Sequence, residues 1–264
     1  MRNPIITLLT DFGLKDPYVA SMRGVILTIN PRCTLADITH QVNSHDIKEG
    51  AFILGQAYSN FPKGTIHLSV IDPAVGSSRK PILIVTKNYF FVGPDNGLFT
   101  IALRRERVKQ VVVLTNQKFF LSEISSTFHG RDIFAPVAAY LSLGVKPESF
   151  GPSTISWHTL SIPDSTMKQG KLIGEIVHVD TFGNLVSNID HKSLLQFSKR
   201  RPVMIKIGKR TLRGLKKGYW EGKGDEPMAL FGSGGLLEIS VREGNAQKSL
   251  RVNKGARVVV QRER

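Results

Sequence analysis

Pro4-Ile5-Ile6-Thr7-Leu8-Leu9-Thr10-Asp11-Phe12-Gly13-Leu14-Lys15-Asp16-Pro17-Tyr18-Val19-Ala20-Ser21-Met22 is the stretch that decides the fold. Residues 4–10 form a short, nearly continuous apolar run, the pattern of a strand covered on both faces. Asp16-Pro17 then reads as an N-cap followed by proline at the first helical position, opening a helix to about Asn30. The pattern repeats downstream, with a strand at 33–38 and an amphipathic helix at 47–61. Three β-rich runs follow at 65–71, 81–86 and 89–92, the last two joined by the turn Lys87-Asn88. A helix near 97–105, a strand at 110–115 and a helix at 132–143 complete the series. This alternation predicts an α/β domain over residues 1–150, Rossmann-like, with a largely parallel sheet between helices.

Residues 151–170 are rich in Gly, Pro, Ser and Thr and keep no hydrophobic period, so they are expected to form a linker. Beyond them, short apolar runs at 172–179, 185–189, 202–207, 234–240 and 257–261 alternate with Gly or charged turns. They predict a second domain, 171–264, built as a small antiparallel barrel or sandwich.

Composition sets the outer limits. The 264 residues are 41% hydrophobic and 22% charged, as in globular proteins. The apolar run after Pro4 is cut by Asp11 before it could act as a signal sequence, and no stretch approaches a membrane span. A cytoplasmic location is expected. Cys33 is the only cysteine, which excludes an internal disulfide and a CxxC metal site and leaves it as a small buried hydrophobe. The net charge is +15, and residues 171–264 hold 19 Lys and Arg against 9 Asp and Glu, a net +10. Such a face can attract phosphates, so a basic nucleic-acid-binding protein is one reading of the chain. No RNP, zinc-finger or helix-turn-helix signature accompanies the charge, and a solvated basic surface without nucleic acid is the expected one. Walker A, GxGxxG, HExxH and EF-hand patterns are missing too; no metal or cofactor is expected.

Asp72 and Arg79 stand in Val70-Ile71-Asp72-Pro73-Ala74-Val75-Gly76-Ser77-Ser78-Arg79, directly after a predicted strand. His129 stands in Thr127-Phe128-His129-Gly130-Arg131-Asp132, before a predicted helix. A carboxylate, a guanidinium and an imidazole can orient and polarise a water molecule. They can equally be a loop ion pair and a helix-entry histidine. Asp11 and Asp16 lie past the first strand, where open α/β sheets bind ligands. Asp11 suits a ribose diol and Asp16 an ammonium group; a turn and a helix cap explain them as well. Val92-Gly93-Pro94-Asp95-Asn96-Gly97-Leu98 reads as a turn. In Asp180-Thr181-Phe182-Gly183-Asn184 and the following Ser187-Asn188, a ring beside amides fits a purine, or a glycine-kinked turn. Phe231-Gly232-Ser233-Gly234-Gly235 could form an amide nest for a carboxylate.

The order and wording of these segments resemble one family. TDFGLKDPYVASMRGVI, DITHQV with HDIKEGAFIL, VIDPAVGSSR, VGPDNGL, TFHGRDIFAPVAA, DTFGNLVSNI and the late FGSGG with EGNA are similar to the S-adenosyl-L-methionine hydroxide adenosyltransferases, relatives of the fluorinase and chlorinase enzymes. The resemblance spans roughly residues 4–260. It implies an N-terminal α/β domain, a C-terminal β-barrel and a homotrimer, with substrate held between one subunit's N-terminal domain and its neighbour's C-terminal domain. The implied reaction is attack of water or hydroxide on C5′ of S-adenosylmethionine, giving adenosine and L-methionine. It makes Asp72, Arg79 and His129 the water-orienting set, with Asp11 on the ribose and Asp16 on the methionine ammonium. Phe182 and Asn184, in the Asp180 motif, would meet adenine or its ribose. Asn188, Ser233, Glu238, Asn245 and Ala246 would complete the pocket. The halogenating relatives lack the Asp/Arg/His set, so a chlorinase-like halogenase is the second reading, disfavoured because the Asp72 carboxylate would repel a halide.

Overall fold

The computed structural model describes residues 3–263 and divides into two compact units, one ending at Leu160 and the other starting at Ser161. The first unit contains β1 (Ile5–Thr10), α1 (Tyr18–Ile29), β2 (Thr34–Thr39), α2 (Ile47–Ala57), β3 (Ile66–Val70), β4 (Pro81–Thr86) and β5 (Phe90–Pro94). It continues with α3 (Thr100–Leu103), β6 (Val108–Val113), α4 (Ala135–Ser142) and β7 (Ser153–Thr154). The strands form one sheet in the order β2-β1-β3-β5-β4-β6-β7.

β2, β1, β3 and β5 are parallel, but β4 pairs antiparallel with both β5 and β6, and β6 antiparallel with β7. The sheet is therefore mixed rather than largely parallel. The physical reason is the two-residue connection at Lys87-Asn88, which can only close a hairpin; a parallel crossover needs a dozen residues or more. Both faces are covered. Ile6 and Leu8 of β1 belong to the core under α1 and α4, whereas Leu9 packs with Leu54 of α2 and Ala102 of α3.

Asp16 does not cap α1. Pro17 occupies the cap position without any side-chain hydrogen bond, and Asp16 stays exposed. Asp46, by contrast, caps α2 by accepting the Glu49 N–H at 2.9 Å. Residues 151–170 are shared between the units. β7 extends the first sheet, Trp157 packs on its core, and the His158 and Leu160 N–H groups donate to Asp95 Oδ1 (2.7 Å) and Thr100 Oγ1 (2.9 Å). Cys33 is half-buried against the core, and burial pushes its thiol up.

The second unit holds β8 (Thr166–Lys168), β9 (Lys171–Val179), β10 (Leu185–Asp190), α5 (His191–Ser198), β11 (Val203–Ile207), β12 (Arg210–Arg213), β13 (Pro227–Phe231), β14 (Leu236–Val241), α6 (Ala246–Leu250) and β15 (Arg257–Arg262). The main path runs β12-β11-β15-β9-β10-β14-β13, with β8 added on β9, and every pairing is antiparallel. Its end strands come side by side where the Lys216 N–H donates to the Ala229 carbonyl at 2.8 Å, so the sheet nearly closes into a barrel. Strand interiors alternate: Val203, Ile205 and Ile207 point into the core while Lys206 faces solvent.

One buried group ties stability to pH. His67 of β3 is fully buried among Tyr58, Phe61, Tyr89 and Phe91, its Nδ1 2.8 Å from the Thr7 hydroxyl. Burial pushes its pKa down to about 3. The unfolded chain takes up this proton near pH 6.5 and the folded chain does not, so stability falls as pH drops from about 6.5 toward 3. The slope from this residue approaches 1.4 kcal/mol per pH unit. Thermal unfolding of wild type against His67→Gln between pH 7 and 4 is expected to show a weaker acid dependence in the variant.

Candidate active site

β1 and β3 run parallel and end on the same side of the sheet, where their loops carry Asp11 and Asp72. The Asp72 loop is seated by its neighbours. Asn96 Nδ2 donates to the Ile71 carbonyl at 2.8 Å, which gives the VGPDNGL turn a supporting role. Gly76 sits at φ +77° with the Ser126 carbonyl against it, leaving no room for a Cβ. The 72–79 loop is thereby pressed onto the segment that leads into His129.

His129 precedes a π-helical turn, Gly130–Phe134, that feeds α4. The wide turn is fixed by Asp132, whose side chain is fully buried and accepts from the Ser125 N–H (2.8 Å) and from Arg131 Nε (2.6 Å). π turns of this kind commonly accompany functional sites. Phe128 meets Phe12 edge-on at 5.8 Å and Tyr18 at 5.2 Å, joining the His129 segment to the Asp11 loop.

The three polar side chains converge. Arg79 grips Asp72 with both arms, Nε to Oδ1 at 2.9 Å and Nη2 to Oδ2. Its Nη2 also lies 2.9 Å from His129 Nδ1. A guanidinium can only donate, so Nδ1 accepts and a neutral imidazole carries its proton on Nε2. Burial and the Arg79 charge push the His129 pKa down, against a smaller upward pull from Asp72 and Asp132. The side chains of Asp72 and Arg79 are 4% and 7% exposed. Arg79 Nη1 is buried with no partner, and unpaired buried donors of this sort call for an explanation. The cluster thus offers two N–H donors, Nη1 and His129 Nε2, beside a carboxylate already held by Arg79.

Asp11 Oδ2 accepts the His45 N–H at 2.8 Å, leaving its other oxygen for a ligand hydroxyl. Asp16 is exposed and apart from the Asp72 cluster's hydrogen bonds. Behind Asp11, Thr10 Oγ1 lies 2.8 Å from Nδ1 of the buried His40, and His40 faces Asp37, which pairs with Arg23. The sequence signal for this chain was only the phrase DITHQV.

In the second unit, Asp180 organises the DTFGN turn. Oδ1 accepts the Phe182 and Asn184 N–H groups (3.0 and 2.8 Å) and Oδ2 accepts Asn184 Nδ2 (2.8 Å). Asp180 therefore shapes the loop, and the Phe182 ring is left 75% exposed. Gly183 at φ +85° lies against the Asn245 side chain, whose Oδ1 caps α6 through the Lys248 N–H (2.8 Å), with Ala246 buried beside it. Glu238 on β14 joins this group; burial pushes its pKa up, against the Tyr219 hydrogen bond and with a smaller upward push from the Asp180 charge. Tyr219, which sequence reasoning missed, donates its hydroxyl to Glu238 Oε2 at 2.9 Å, and burial and that bond push it up to about 12. No motif marks Tyr219, which sits in a Gly- and Lys-rich loop. Gly232 leaves the space that the Glu238 carboxylate fills.

Two expected residues stand differently. Asn188 is engaged by the scaffold, accepting from the Glu175 N–H (2.8 Å) and donating to the Pro163 carbonyl (2.9 Å). Ser233 lies exposed in the β13–β14 turn. Among the described residues, no group of three or more His, Cys, Asp and Glu is placed to hold a metal ion.

Comparison with known proteins was made against this geometry. Residues 6–151 match the model of the SAM hydroxide adenosyltransferase N-terminal domain, and residues 174–259 that of its C-terminal domain. The chain belongs to the SAM hydroxide adenosyltransferase family. An (R)-S-adenosyl-L-methionine hydrolase of Methanocaldococcus jannaschii is 37% identical over 264 residues, covering 94% of this chain and 92% of that one. A second, from Thermus thermophilus, is 33% identical over 259 residues, covering 95% and 96%. A fluorinase of Actinoplanes is 27% identical over 219 residues, covering 73% of this family member and 74% of the fluorinase. The crystal structure of an uncharacterized conserved protein from Thermotoga maritima superposes with a TM-score of 0.92 at 36% identity, covering 97% of this chain and all of that one.

Proposed function

We propose that this family member is an S-adenosyl-L-methionine hydrolase that forms adenosine and L-methionine. The observation that carries the reading is the Asp72–Arg79–His129 cluster with its two unengaged N–H donors, in a chain related over its length to proteins named as (R)-S-adenosyl-L-methionine hydrolases. In the reaction a C5′–O bond forms as the C5′–S bond breaks, and the bonding pair goes to sulfur. The sulfonium leaves as a neutral thioether, so no acid is required at the leaving group. What the protein must supply is an aligned, partly desolvated nucleophile. Arg79 Nη1 and His129 Nε2–H would donate to that oxygen and favour hydroxide character, while Asp72 holds Arg79 in place. When water attacks, its surplus proton passes to solvent.

Asp11 would take the ribose hydroxyls and Asp16 the methionine ammonium, with Phe182 and Asn184 on the adenosine, Glu238 and Ala246 around it, and Tyr219 anchoring Glu238. Asn188 and Asn245 would act through the scaffold, and Ser233 through its exposed turn. These residues fall in two units. The family resemblance supports a homotrimer in which a pocket is completed by a neighbouring copy, in the cytoplasm. Among the described residues, no helix is long and apolar enough to cross a membrane. A halogenase is the weaker reading, because the fluorinase is less similar to this chain than the hydrolases are and a carboxylate in the cluster would repel a halide.

Incubation with S-adenosylmethionine should release adenosine and methionine in equal amounts without added halide or metal; no product from pH 5 to 9, with no ligand binding, would sink the reading. Activity should fall on the acid side as His129 gains a proton, since Nδ1–H would then oppose Arg79. The lowered pKa places that fall below the ordinary histidine value near 6.5.

A further inference from the structure

The second unit carries a groove of about 530 Å³ between α5 and the segment joining β12 to β13. Four cations line it: Arg200, Arg201, Lys216 and Lys217. All four are exposed, and none has a carboxylate partner among the described residues. Glu221, beside the groove, accepts the Lys217 backbone N–H at 3.2 Å. Leu195, Leu215 and Phe231 add apolar lining, and the Phe231 ring is held edge-on to His191 at 4.8 Å.

The backbone is bent to give this arrangement. Lys199 and Arg200 both adopt left-handed conformations, φ +50° and +63°, and two consecutive non-glycine residues in that region are unfavourable. Lys199 closes α5 by donating to the Leu195 carbonyl, a role a glycine would fill at less strain. The Arg200 N–H turns back to Ser198 Oγ at 3.2 Å, and Arg200 and Arg201 are thrown onto the rim. Exposed Lys206, Lys209 and Arg210 extend the positive surface onto the β11–β12 hairpin, which leads into the groove at Gly214, while Arg213 faces Glu263 at 4.0 Å. Several cations beside apolar and aromatic lining are what a single-stranded polyphosphodiester requires.

We propose that this groove binds single-stranded nucleic acid, its phosphates on Arg200, Arg201, Lys216 and Lys217 and a base against Phe231 and Leu215. Contacts of this kind read no sequence and weaken with salt, with a log–log slope of about −0.7 per phosphate on a single strand. The test is fluorescence anisotropy of a labelled strand of about 12 nucleotides, within the site size of small barrel domains, titrated with the full-length protein at roughly 50–200 mM salt. The double variant Arg201→Glu, Lys216→Glu is expected to bind at least tenfold more weakly and to keep its melting temperature and adenosine production. No anisotropy change at the lowest salt, or equal binding by the double variant, would overturn the proposal. So would inorganic polyphosphate that displaces the strand at equal phosphate concentration, since the base contacts would then contribute nothing.

Discussion

Asp72→Ala is expected to lower S-adenosylmethionine turnover by roughly 10²–10³-fold, the range for losing a preorganised hydrogen-bond donor aimed at the reacting oxygen. His129→Ala should fall in the same range. The geometry gives the reason. Arg79 is fixed by two bonds to Asp72 and one to His129 Nδ1. Without Asp72 the guanidinium loses its bidentate anchor, and its free Nη1 no longer points in one direction. Without His129 the Nε2–H donor is gone, although Arg79 stays in place. Both changes act on the nucleophile and leave the proposed ribose and adenine contacts intact. Single-turnover adenosine formation should therefore collapse while calorimetric affinity for S-adenosylmethionine stays within a few-fold. Variants that lose affinity and rate together would instead assign these residues to substrate binding.

Asp132→Ala is expected to give a large loss of stability. The carboxylate is fully buried, and its removal leaves the half-buried Ser125 N–H without its acceptor and ends the charge-assisted bond from Arg131. Arg131 is 38% exposed and can turn to water, so no charge is trapped inside. The loss is about 2–4 kcal/mol from the two broken bonds. At this chain length that corresponds to roughly 4–16 °C in the melting temperature. Asp132→Asn keeps an acceptor for Ser125 and should lose less. Differential scanning calorimetry of the two variants separates the cases, and equal melting temperatures for Asp132→Ala and wild type would refute the role given to Asp132.

Strand positions were legible because each is a short apolar run bounded by turn residues; β1 and β4 fall within one residue of their expected bounds. Pairing direction was not: only the two-residue Lys87-Asn88 turn announced an antiparallel insertion. In the second unit β12, β13, α5 and α6 went unseen, because four to eight residues are too few for a hydrophobic period to stand out. Asp72, Arg79 and His129 were legible as residues near strand ends. Their mutual bonding depends on a loop seated by Gly76 and Asn96, which no local pattern encodes. Tyr219 shows the same limit, since its partner Glu238 is 19 residues away across the barrel.

The π turn before α4 has a consequence for rewiring the chemistry. A π turn amounts to one residue inserted into an α-helix, and each helical residue turns the chain by about 100°. Deleting a single residue from Gly130–Phe134 would let α4 run on as a regular helix, its packed face undisturbed, and would swing residue 129 away from Arg79. The His129 imidazole is thus indexed by a one-residue phase offset rather than by the helix it adjoins. A shift in that offset would empty the imidazole position with no change to α4, a shorter route toward admitting other nucleophiles than substitution of the cluster one side chain at a time.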